Sequence, residues 1–593
     1  MERELVSGPD KNSRKFSKYI QSKTKSRTKI GPLRTDDGML VDNDRDMACV
    51  LNNFFKSVFT LEDTSNIPVI RAETDEDLSS VTINRQNILK KIHELRINDT
   101  TGPDNISPRI LKELADVIVL PLEILFNRSL NEGELPSDWK TANVTPIFKK
   151  GVKGDPGNYR PVSLTSVPGK ILEGVIKEQM MTHLLEHNLI RKSQHGFYPG
   201  KSCTTNLLVF QDRVTKAVDE GNPVDIIFLD FSKAFDKVPR ERLLAKLRAK
   251  GISGKLNHWL RNWLTGRRQR VVIAEEKSDW GDVDSGVPQG SVLGPCLFDV
   301  FMDDLEIDLL LEDLESFLTK FADDTKLGRE VSTNEDIRKL QRALDILCQW
   351  AVDWGMAFNV KKCKVMHIGR KNHKAAYYMN GVQLDTTSEE KDIGVYVTSD
   401  LKPSTHCEKA INTASARLRQ IQKNFHYRDR FTFMKLYTQY VRPHLETASP
   451  AWSPWTIGDR TALEKVQEKA VKMVTGLKGI TYEERCAELG LETLERRRDI
   501  QDMVETHRIL CRPNDGYAAG ILHQVRGDTG SARTRQTADP LNLIHQYART
   551  EIRRNVFGVR VVEKWNKLST TTKSASNSGS FKNLLRKEWT DEK

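Results

Sequence analysis

The sequence predicts an α+β fold that ends in a helix-rich region. Short apolar runs of strand length stand at 225–229 and on either side of an acidic turn near residue 323. Amphipathic spacing typical of helices fills much of the sequence between them and dominates after about residue 401. Because these apolar runs end in carboxylates, they indicate buried central strands that lead into a polar site.

The length and composition exclude several classes of protein. The chain has 593 residues, enough for about three or four structural units, and 38% apolar residues with a mean hydropathy of −0.52, which is too apolar for a disordered chain. No apolar run approaches the roughly 20 residues that a bilayer requires, and the N-terminus lacks the apolar core of a signal peptide. We therefore expect an intracellular protein without a membrane span.

The charge balance favours a polyanionic partner. Lys and Arg number 92 against 81 Asp and Glu, a net charge of +11 with a pI near 9.0. Residues 11–34 contain nine Lys and Arg and no acid, which predicts a flexible basic arm, although a solvated linker fits equally well. Residues 148–160 are basic and rich in Gly and Pro, so they predict a loop whose cations are available to phosphate.

Local signals place the remaining elements in order. Ser107 and Pro108 form an N-cap and first helical residue, which predicts one long apolar helix to about Leu130. Helices are expected at 241–250 and 255–264, then a loop at 286–290 and a helix through the apolar positions that follow it.

The end of the chain predicts a packed helix and a loose tail. Residues 463–474 carry one apolar stripe with the lysines lying off it, as in an ordinary surface helix. The tail from Lys573 is rich in Ser, Lys and Asn and is expected to fray. The eight cysteines form no CxxC pair, which argues against a zinc knuckle and a disulfide framework.

Three Asp-Asp pairs provide an internal test of acidic motifs. Asp36-Asp37 precedes a glycine in a polar turn, and Asp303-Asp304 follows an apolar helical stripe, so both are expected to be solvated. Asp323-Asp324 differs because an extended apolar segment continues into it, which predicts a rigid hairpin that holds both carboxylates.

A third carboxylate completes the candidate site. Asp230 also lies at the end of a predicted strand, so neighbouring strands could bring it beside Asp323 and Asp324. Such a cluster repels itself unless cations occupy it, and two Mg²⁺ ions on carboxylate oxygens catalyse phosphoryl or nucleotidyl transfer. From spacing alone, unrelated surface acids remain the alternative.

The flanking motifs resemble the reverse transcriptases of non-LTR (LINE-type) retrotransposons, in particular the jockey and chicken-repeat group. They occur in the order of that family and extend over most of the chain. The matching segments are GPDNISPRILK from Gly102, VTPIFKKGVKGDPGNYRPVSL from Val144, QHGFYPGKSCTTNL from Gln194, FLDFSKAFDKVP from Phe228, GVPQGSVLGPCLF from Gly286, FADD from Phe321, WGMAFNVKKCKVM from Trp354, IGVYV from Ile393, VRPHLETASPAWSP from Val441 and LEKVQEKAVKMVTG from Leu463.

The resemblance implies a right-hand polymerase with fingers, a palm built on an antiparallel sheet, and a helical thumb. In this numbering it implies a basic N-terminal arm and linker at 1–85, fingers and palm at 86–400, a thumb-like region at 401–515, and a basic C-terminal region with a flexible tail at 516–593. The family's N-terminal endonuclease domain is not recognisable, so we expect a chain that lacks it.

The resemblance also assigns site residues. It implies that Asp230, Asp323 and Asp324 form the catalytic triad, with Asp230 and Asp323 as the likeliest direct ligands of two Mg²⁺ ions, for which Mn²⁺ could substitute. The nucleotide-binding residues implied are Phe235 as a gate against the ribose 2′-OH, Gln289 and Gly290 beside the incoming nucleotide, and Arg160 and Lys149 on the triphosphate. Without the family, Phe235 is better explained as a core residue, and Arg160 and Lys149 as solvated loop charges.

The activity implied is RNA-directed DNA polymerisation in target-primed reverse transcription. The partners implied are an RNA template, a DNA primer or target and dNTPs, with action in the nucleus or within a cytoplasmic ribonucleoprotein. A catalytically decayed or domesticated RNA-binding protein that keeps the fold is the second hypothesis. A scaffold protein held by helix contacts is the third.

Overall fold

The computed structural model describes residues 30–312, 314–511, 520–524 and 539–591. The fold is mixed α+β, as the sequence predicts. Within the described ranges, no helix is both long enough and apolar enough to cross a membrane. None of the eight cysteines, all of which lie in the described ranges, forms a disulfide.

The strands form two larger sheets and several two-stranded ribbons. In chain order they are β1 (Leu33–Arg34), β2 (Leu40–Val41), β3 (Thr141–Phe148), β4 (Tyr159–Leu164), β5 (Val224–Leu229), β6 (Arg267–Ile273), β7 (Glu276–Lys277), β8 (Gly281–Val283), β9 (Phe317–Phe321), β10 (Asp324–Glu330), β11 (Lys364–Ile368), β12 (Tyr378–Met379), β13 (Val382–Gln383), β14 (Asp385–Thr386), β15 (Glu389–Asp392) and β16 (Val395–Thr398).

The central sheet has the strand order β14-β11-β5-β10-β9. Strand β5 runs antiparallel to both of its neighbours, β10 and β11, and β9 runs antiparallel to β10. Most of β5 is buried, because its Val-Asp-Ile-Ile-Phe-Leu sequence packs against helices on both faces. The apolar run at 225–229 is therefore a central strand, as predicted.

The second sheet joins β4, β3, β6 and β7 in that order, with β8 also paired to β6. A helix from the N-terminal region covers it, because Leu51 and Phe55 of that helix share a hydrophobic cluster with Val144 and Val271. This helix spans Asp44–Ser57, within the predicted arm and linker at 1–85, and its apolar residues fall on one face. The basic arm lies mostly outside the described residues.

The helices before residue 360 surround these two sheets. They are α1 (Asp44–Ser57), α2 (Arg85–Glu94), α3 (Pro108–Glu113), α4 (Ala115–Glu132), α5 (Val167–Glu186), α6 (Cys203–Glu220), α7 (Ala234–Lys237), α8 (Arg240–Ala249), α9 (Gly254–Leu264), α10 (Gly294–Met302), α11 (Ile307–Leu311) and α12 (Asn334–Asp353).

Two details of these helices bear on the predictions. The Ser107 side chain caps α3 by accepting a hydrogen bond from Arg109 N at 3.2 Å, and Pro108 is the first helical residue, as predicted. The single long helix expected from there is divided, because the chain turns at Leu114 between α3 and α4.

The C-terminal part of the chain is helical, as predicted. Its helices are α13 (Ser404–Asn424), α14 (Arg430–Leu436), α15 (Pro443–Glu446), α16 (Ser449–Trp452), α17 (Ile457–Val471), α18 (Tyr482–Leu489), α19 (Leu494–Leu510), α20 (Glu551–Arg554), α21 (Phe557–Asn566), α22 (Thr570–Lys573) and α23 (Ser578–Asp591). They share one core, which also takes in Leu207 and Leu208 of α6 and so joins this part to the rest of the chain.

The expected fraying of the tail is wrong for residues 578–590. Phe581 and Leu585 of α23 are fully buried in the C-terminal core, and the Phe581 ring stacks on His507 with 4.4 Å between ring centroids. The apolar residues recur at helical spacing, which the polar composition of the segment obscures.

Candidate active site

The three predicted carboxylates meet at one end of the central sheet. Asp230 follows β5 directly, and Asp324 begins β10, whose next residue, Thr325, pairs with Leu229. Asp323 lies in the tight turn between β9 and β10, after Ala322, whose backbone is left-handed at φ +54°. The predicted hairpin and its neighbouring strand are therefore both present.

Desolvation and mutual repulsion act on these acids. Burial raises the pKa of Asp324 to about 6, and the negative charges of Asp323, Asp392 and Asp230 add to this effect. Burial also raises the pKa of Asp323, while the positive charges of Arg160 and Lys149 oppose the rise. The cluster thus has too little positive charge around it, which a bound cation would supply.

A lysine already contacts one of the three acids. Lys362 Nζ lies 3.1 Å from Asp230 Oδ2, and both side chains are partly exposed. The Asp230 backbone is fixed separately, because its carbonyl oxygen accepts a hydrogen bond from Asn359 N at 2.7 Å. Lys362 lies within the NVKKCKVM stretch, where the sequence analysis assigned no site residue.

Lys233 is a second cation that the sequence analysis missed. Its backbone is left-handed at φ +54°, and burial lowers the pKa of its ammonium, opposed by Asp236 and reinforced by the charges of Lys362, Lys149 and Arg160. These four cations therefore lie close enough for their charges to interact. The signal was present in the sequence, since Lys233 stands three residues after Asp230.

Arg160 and Lys149 lie at the end of the β3–β4 hairpin. Arg160 pairs with Ile147 across the hairpin, and Lys149 N donates a hydrogen bond to Asn158 O at 2.9 Å. Both residues are exposed, and their charges reach Asp323. The structure thus brings the predicted basic loop and the acidic turn together.

Phe235 lies between the core and the cleft. Its ring stacks on the buried Phe298 at 4.2 Å with an interplanar angle of 10°, and Phe197 meets it edge-on at 6.3 Å. The ring is only partly buried. One face is thus supported by the core while the residue remains partly exposed.

The loop that carries Gln289 and Gly290 is tied to β4 and to Asp236. Ser163 N donates to Gln289 O at 2.7 Å, and Gln289 Nε2 donates to Asp236 Oδ1 at 2.8 Å. Gly290 has φ +114°, and a Cβ there would lie 2.5 Å from Ser163 O. Only glycine fits this close approach of two backbones.

The other two Asp-Asp pairs differ from each other. Asp36-Asp37 is exposed in the β1–β2 turn, as predicted. The prediction that Asp303-Asp304 is solvated is wrong, because Lys250 Nζ pairs with Asp303 at 2.7 Å and Lys246 Nζ with Asp304 at 2.5 Å. These lysines come from α8 and the residue after it, far from the pair in sequence.

The donor set at the sheet end suits a hard divalent cation. Within the described ranges, no group of three His, Cys, Asp or Glu side chains converges closely enough to hold a metal ion by itself. Mg²⁺ does not need such a cage, since it keeps several waters and uses one or two carboxylates together with substrate phosphates. Asp230 and Asp323 offer those oxygens, and Asp324 lies beside them.

Comparisons with known proteins agree with this geometry. A family model described as "Reverse transcriptase (RNA-dependent DNA polymerase)" matches residues 147–427, which include the three carboxylates and the residues around them.

Three curated relatives illustrate the similarity. The chain is 25% identical over 492 residues to a Drosophila melanogaster protein described as "Probable RNA-directed DNA polymerase from transposon BS". The aligned region covers 79% of this chain and 53% of that protein. It is 27% identical to the "RNA-directed DNA polymerase from mobile element jockey" of Drosophila funebris, over 68% of this chain and 45% of that protein. The jockey polymerase of Drosophila melanogaster is 29% identical, over 58% of this chain and 38% of that protein.

The chain thus spans about half or less of the length of these relatives. The family match at residues 147–427 includes the segments around the three carboxylates, and the sequence motifs named above identify the same segments. The chain contains a reverse transcriptase domain related to those of the jockey and BS non-LTR retrotransposons.

Proposed function

We propose that the chain is an RNA-directed DNA polymerase of a non-LTR retrotransposon, which extends a DNA 3′-OH on an RNA template. The observation that carries the proposal is the meeting of Asp230, Asp323 and Asp324 at one sheet end, faced by the cations of Lys149, Arg160, Lys233 and Lys362. Nucleotidyl transfer needs this pairing, because acids bind the metal while cations bind the triphosphate.

The subdomain layout follows from the same proposal. The central sheet serves as the palm, and the second sheet forms part of the fingers, because its β3–β4 hairpin brings Arg160 and Lys149 to the acids. The helices α13 to α19 serve as the thumb-like region. We keep the boundaries 86–400 for fingers and palm, 401–515 for the thumb-like region and 516–593 for the C-terminal region.

In this mechanism Asp230 and Asp323 would hold Mg²⁺, with Asp324 beside them. The metal, when bound, lowers the pKa of the primer 3′-hydroxyl and stabilises negative charge on the departing pyrophosphate. Arg160 and Lys149 bind the triphosphate oxygens, and Lys233 adds positive charge to the same cleft. The contribution of the protein is alignment and charge stabilisation.

The nucleotide is selected by shape. Phe235, backed by Phe298, presents a rigid ring where a ribose 2′-OH would need space. In this proposal Gln289 and Gly290 lie beside the incoming nucleotide, and their loop is held in place by hydrogen bonds to Ser163 and Asp236. In this proposal the DNA primer comes from a nicked target, as in target-primed reverse transcription.

A primer-extension assay tests the function. Purified protein is given a primed RNA template, dNTPs and Mg²⁺, beside the variants Asp323→Ala and Asp37→Ala. We expect extension by wild type and by the Asp37 variant, whose side chain is exposed in the β1–β2 turn, and none by the Asp323 variant. RNA binding is measured on all three proteins.

The same assay separates the alternatives. Wild type that binds RNA but extends no primer would refute the polymerase and favour an RNA-binding protein that has lost turnover. Wild type that does neither would favour a scaffold.

A further inference from the structure

A short segment outside the acidic cluster lies along the edge of the central sheet. Strand β9 is the last strand on its side of the sheet, and residues 193–196 run beside its end. Lys320 N donates to Ser193 O at 2.9 Å, and His195 N donates to Lys320 O at 2.8 Å. Gln194 thereby pairs with Lys320 in a parallel bridge, two residues before the catalytic turn begins.

The Gln194 side chain reaches the turn itself. Its Oε1 accepts one hydrogen bond from Ala322 N at 3.0 Å and another from Gly196 N at 2.8 Å, and the residue is fully buried. Because both partners are N–H donors, they fix which end of the amide faces the turn. The Nε2 atom has no hydrogen-bond partner among the described residues, so the oxygen is the part of the side chain that matters.

The turn needs such support because its backbone is strained. Ala322 adopts φ +54°, which costs a residue with a Cβ about 1 kcal/mol or more. The peptide that Gln194 holds leads directly into Asp323. A strained peptide persists where its surroundings fix it, and here the fixing atom is one buried amide oxygen.

The close approach of residue 196 is the second device. A Cβ at Gly196 would lie 2.4 Å from Ala322 N, so the segment and the turn are in contact through their backbones. Asn206 Nδ2 also donates to Lys320 O at 3.0 Å and holds the last residues of β9 from α6. The turn is therefore clamped from outside the sheet and not only by the β9–β10 pairing.

We propose that Gln194 is a positioning residue whose side-chain oxygen fixes the Ala322 peptide and thereby the directions of the Asp323 and Asp324 carboxylates. Gln194 touches neither substrate nor metal in this role. The inference rests on the proposed polymerase function. Since a displacement of about 1 Å at reacting groups can cost about 100-fold in rate, loss of this one oxygen should reduce turnover strongly.

Two substitutions at position 194 distinguish the effect of the acceptor oxygen from the effect of side-chain volume. Gln194→Met keeps a flexible side chain of similar size and removes the acceptor. Gln194→Glu keeps an acceptor oxygen in the same place. Because burial favours the protonated form of a carboxyl group, this oxygen can accept the hydrogen bonds without adding a charge. The control is Gln179→Met, because Gln179 also makes two backbone hydrogen bonds: its Oε1 accepts from Thr82 N at 2.8 Å, and its Nε2 donates to Thr82 O at 2.9 Å.

The measurements are kcat and KM for dNTP on a primed RNA template, and hydrogen–deuterium exchange of the peptide that spans 317–327. For Gln194→Met we expect kcat to fall about 30- to 100-fold, KM to stay within about threefold, and exchange in that peptide to quicken. Gln194→Glu should recover most of the lost kcat. Gln179→Met should leave both kcat and the exchange of 317–327 at wild-type values.

The proposal is overturned if Gln194→Met matches Gln179→Met in kcat and in the exchange of 317–327, or if Gln194→Glu is as slow as Gln194→Met. If Gln194→Met does not fold, Gly196→Ala decides instead, because its methyl group pushes directly on Ala322 N. Wild-type kcat in that variant would then overturn the proposal. Wild type that extends no primer would refute the polymerase function itself, a result distinct from an active wild type with an unaffected Gln194 variant.

Discussion

The turns at Asp323-Asp324 and at Asp303-Asp304 place the same dipeptide in opposite electrostatic surroundings. Asp303 and Lys250 form a buried ion pair, each side chain only 1% exposed, and Asp303 Oδ1 also accepts from Arg191 N at 2.7 Å. Asp304 pairs with Lys246 and accepts from Trp350 Nε1 at 3.0 Å. In contrast, no Lys or Arg of the described ranges forms an ion pair with Asp323 or Asp324, and burial raises the pKa of both.

The comparison shows that the partner decides the role of the dipeptide. An acid whose charge is met by a buried lysine contributes to the fold, and removing it leaves the lysine uncompensated. An acid whose charge is unmet costs stability until a cation arrives, which is typical of functional sites. The four predictions below test this difference, from the largest expected effect to the smallest.

The largest effect is expected on activity, from Asp323→Asn. Removing one metal-binding charge should lower the rate of primer extension about 10⁴-fold. The midpoint of thermal unfolding should stay the same or rise, because a repulsive charge has been removed from the cluster. Calorimetry beside the extension assay checks both parts, and a variant that is destabilised like a core mutant would contradict the comparison.

Asp303→Asn should show the reverse behaviour. It leaves the Lys250 ammonium buried without its strongest partner, so the free energy of unfolding should fall by about 3 to 5 kcal/mol. The kcat of the folded fraction should be close to that of wild type. Urea unfolding measures the free energy of unfolding, and primer extension normalised to the folded fraction measures kcat. An Asp303 variant that is inactive but fully stable would reverse the roles assigned to the two Asp-Asp pairs.

Asp236→Asn should show, through the pH dependence of the free energy of unfolding, how much a buried carboxylate destabilises the protein. Burial raises the pKa of Asp236 to about 6, against the opposing hydrogen bond from Gln289. The Asp236 carboxyl therefore binds its proton more tightly in the native state than in the unfolded state, where its pKa is near 3.8. As the pH rises from about 4 to about 6, the free energy of unfolding of the protein falls.

The amide has no charge to desolvate. At pH 7.5 it should stabilise the protein by roughly 1 to 3 kcal/mol, and by much less at pH 4.5. Unfolding by urea at the two pH values gives the comparison. An equal effect at both pH values would show that the pKa of Asp236 is not raised in the native state.

The smallest effect is expected for Asp37→Asn. This acid is exposed in the β1–β2 turn, so stability should change by less than about 0.5 kcal/mol at either pH. Primer extension should be unchanged. A loss of activity would show that the β1–β2 turn takes part in the reaction and would end its use as a solvated reference.

Part of the site could be predicted because its signals are local. An apolar strand that ends in Asp230 and an extended segment that runs into Asp323 are both visible within ten residues of sequence. The pairing of β5 with β10 was only an expectation, because register depends on partners about a hundred residues apart. The motif resemblance added the nucleotide-binding residues, whose chemistry has no local signature.

What could not be predicted depends on distant partners. Asp303 and Asp304 looked solvated because nothing near them in sequence indicates Lys250 or Lys246. Gln194 begins one of the matching motifs, but its contact with the Ala322 peptide had no local signal, since that peptide lies 128 positions later in the chain. The α23 helix was obscured by composition, although Phe581 and Leu585 already stand four residues apart as on one helix face.

The position of β5 between two later strands has a consequence for the synthesis of the protein. Its partners, residues 324–330 and 364–368, leave the ribosome about 100 and 140 residues after it, roughly 5 to 30 s later at typical elongation rates. During that time both edges of the apolar strand β5 lack their pairing partners. Apolar strands with unpaired edges are prone to aggregation. Nascent or truncated chains that end before residue 364 should therefore depend on chaperones, whereas longer ones can close the sheet.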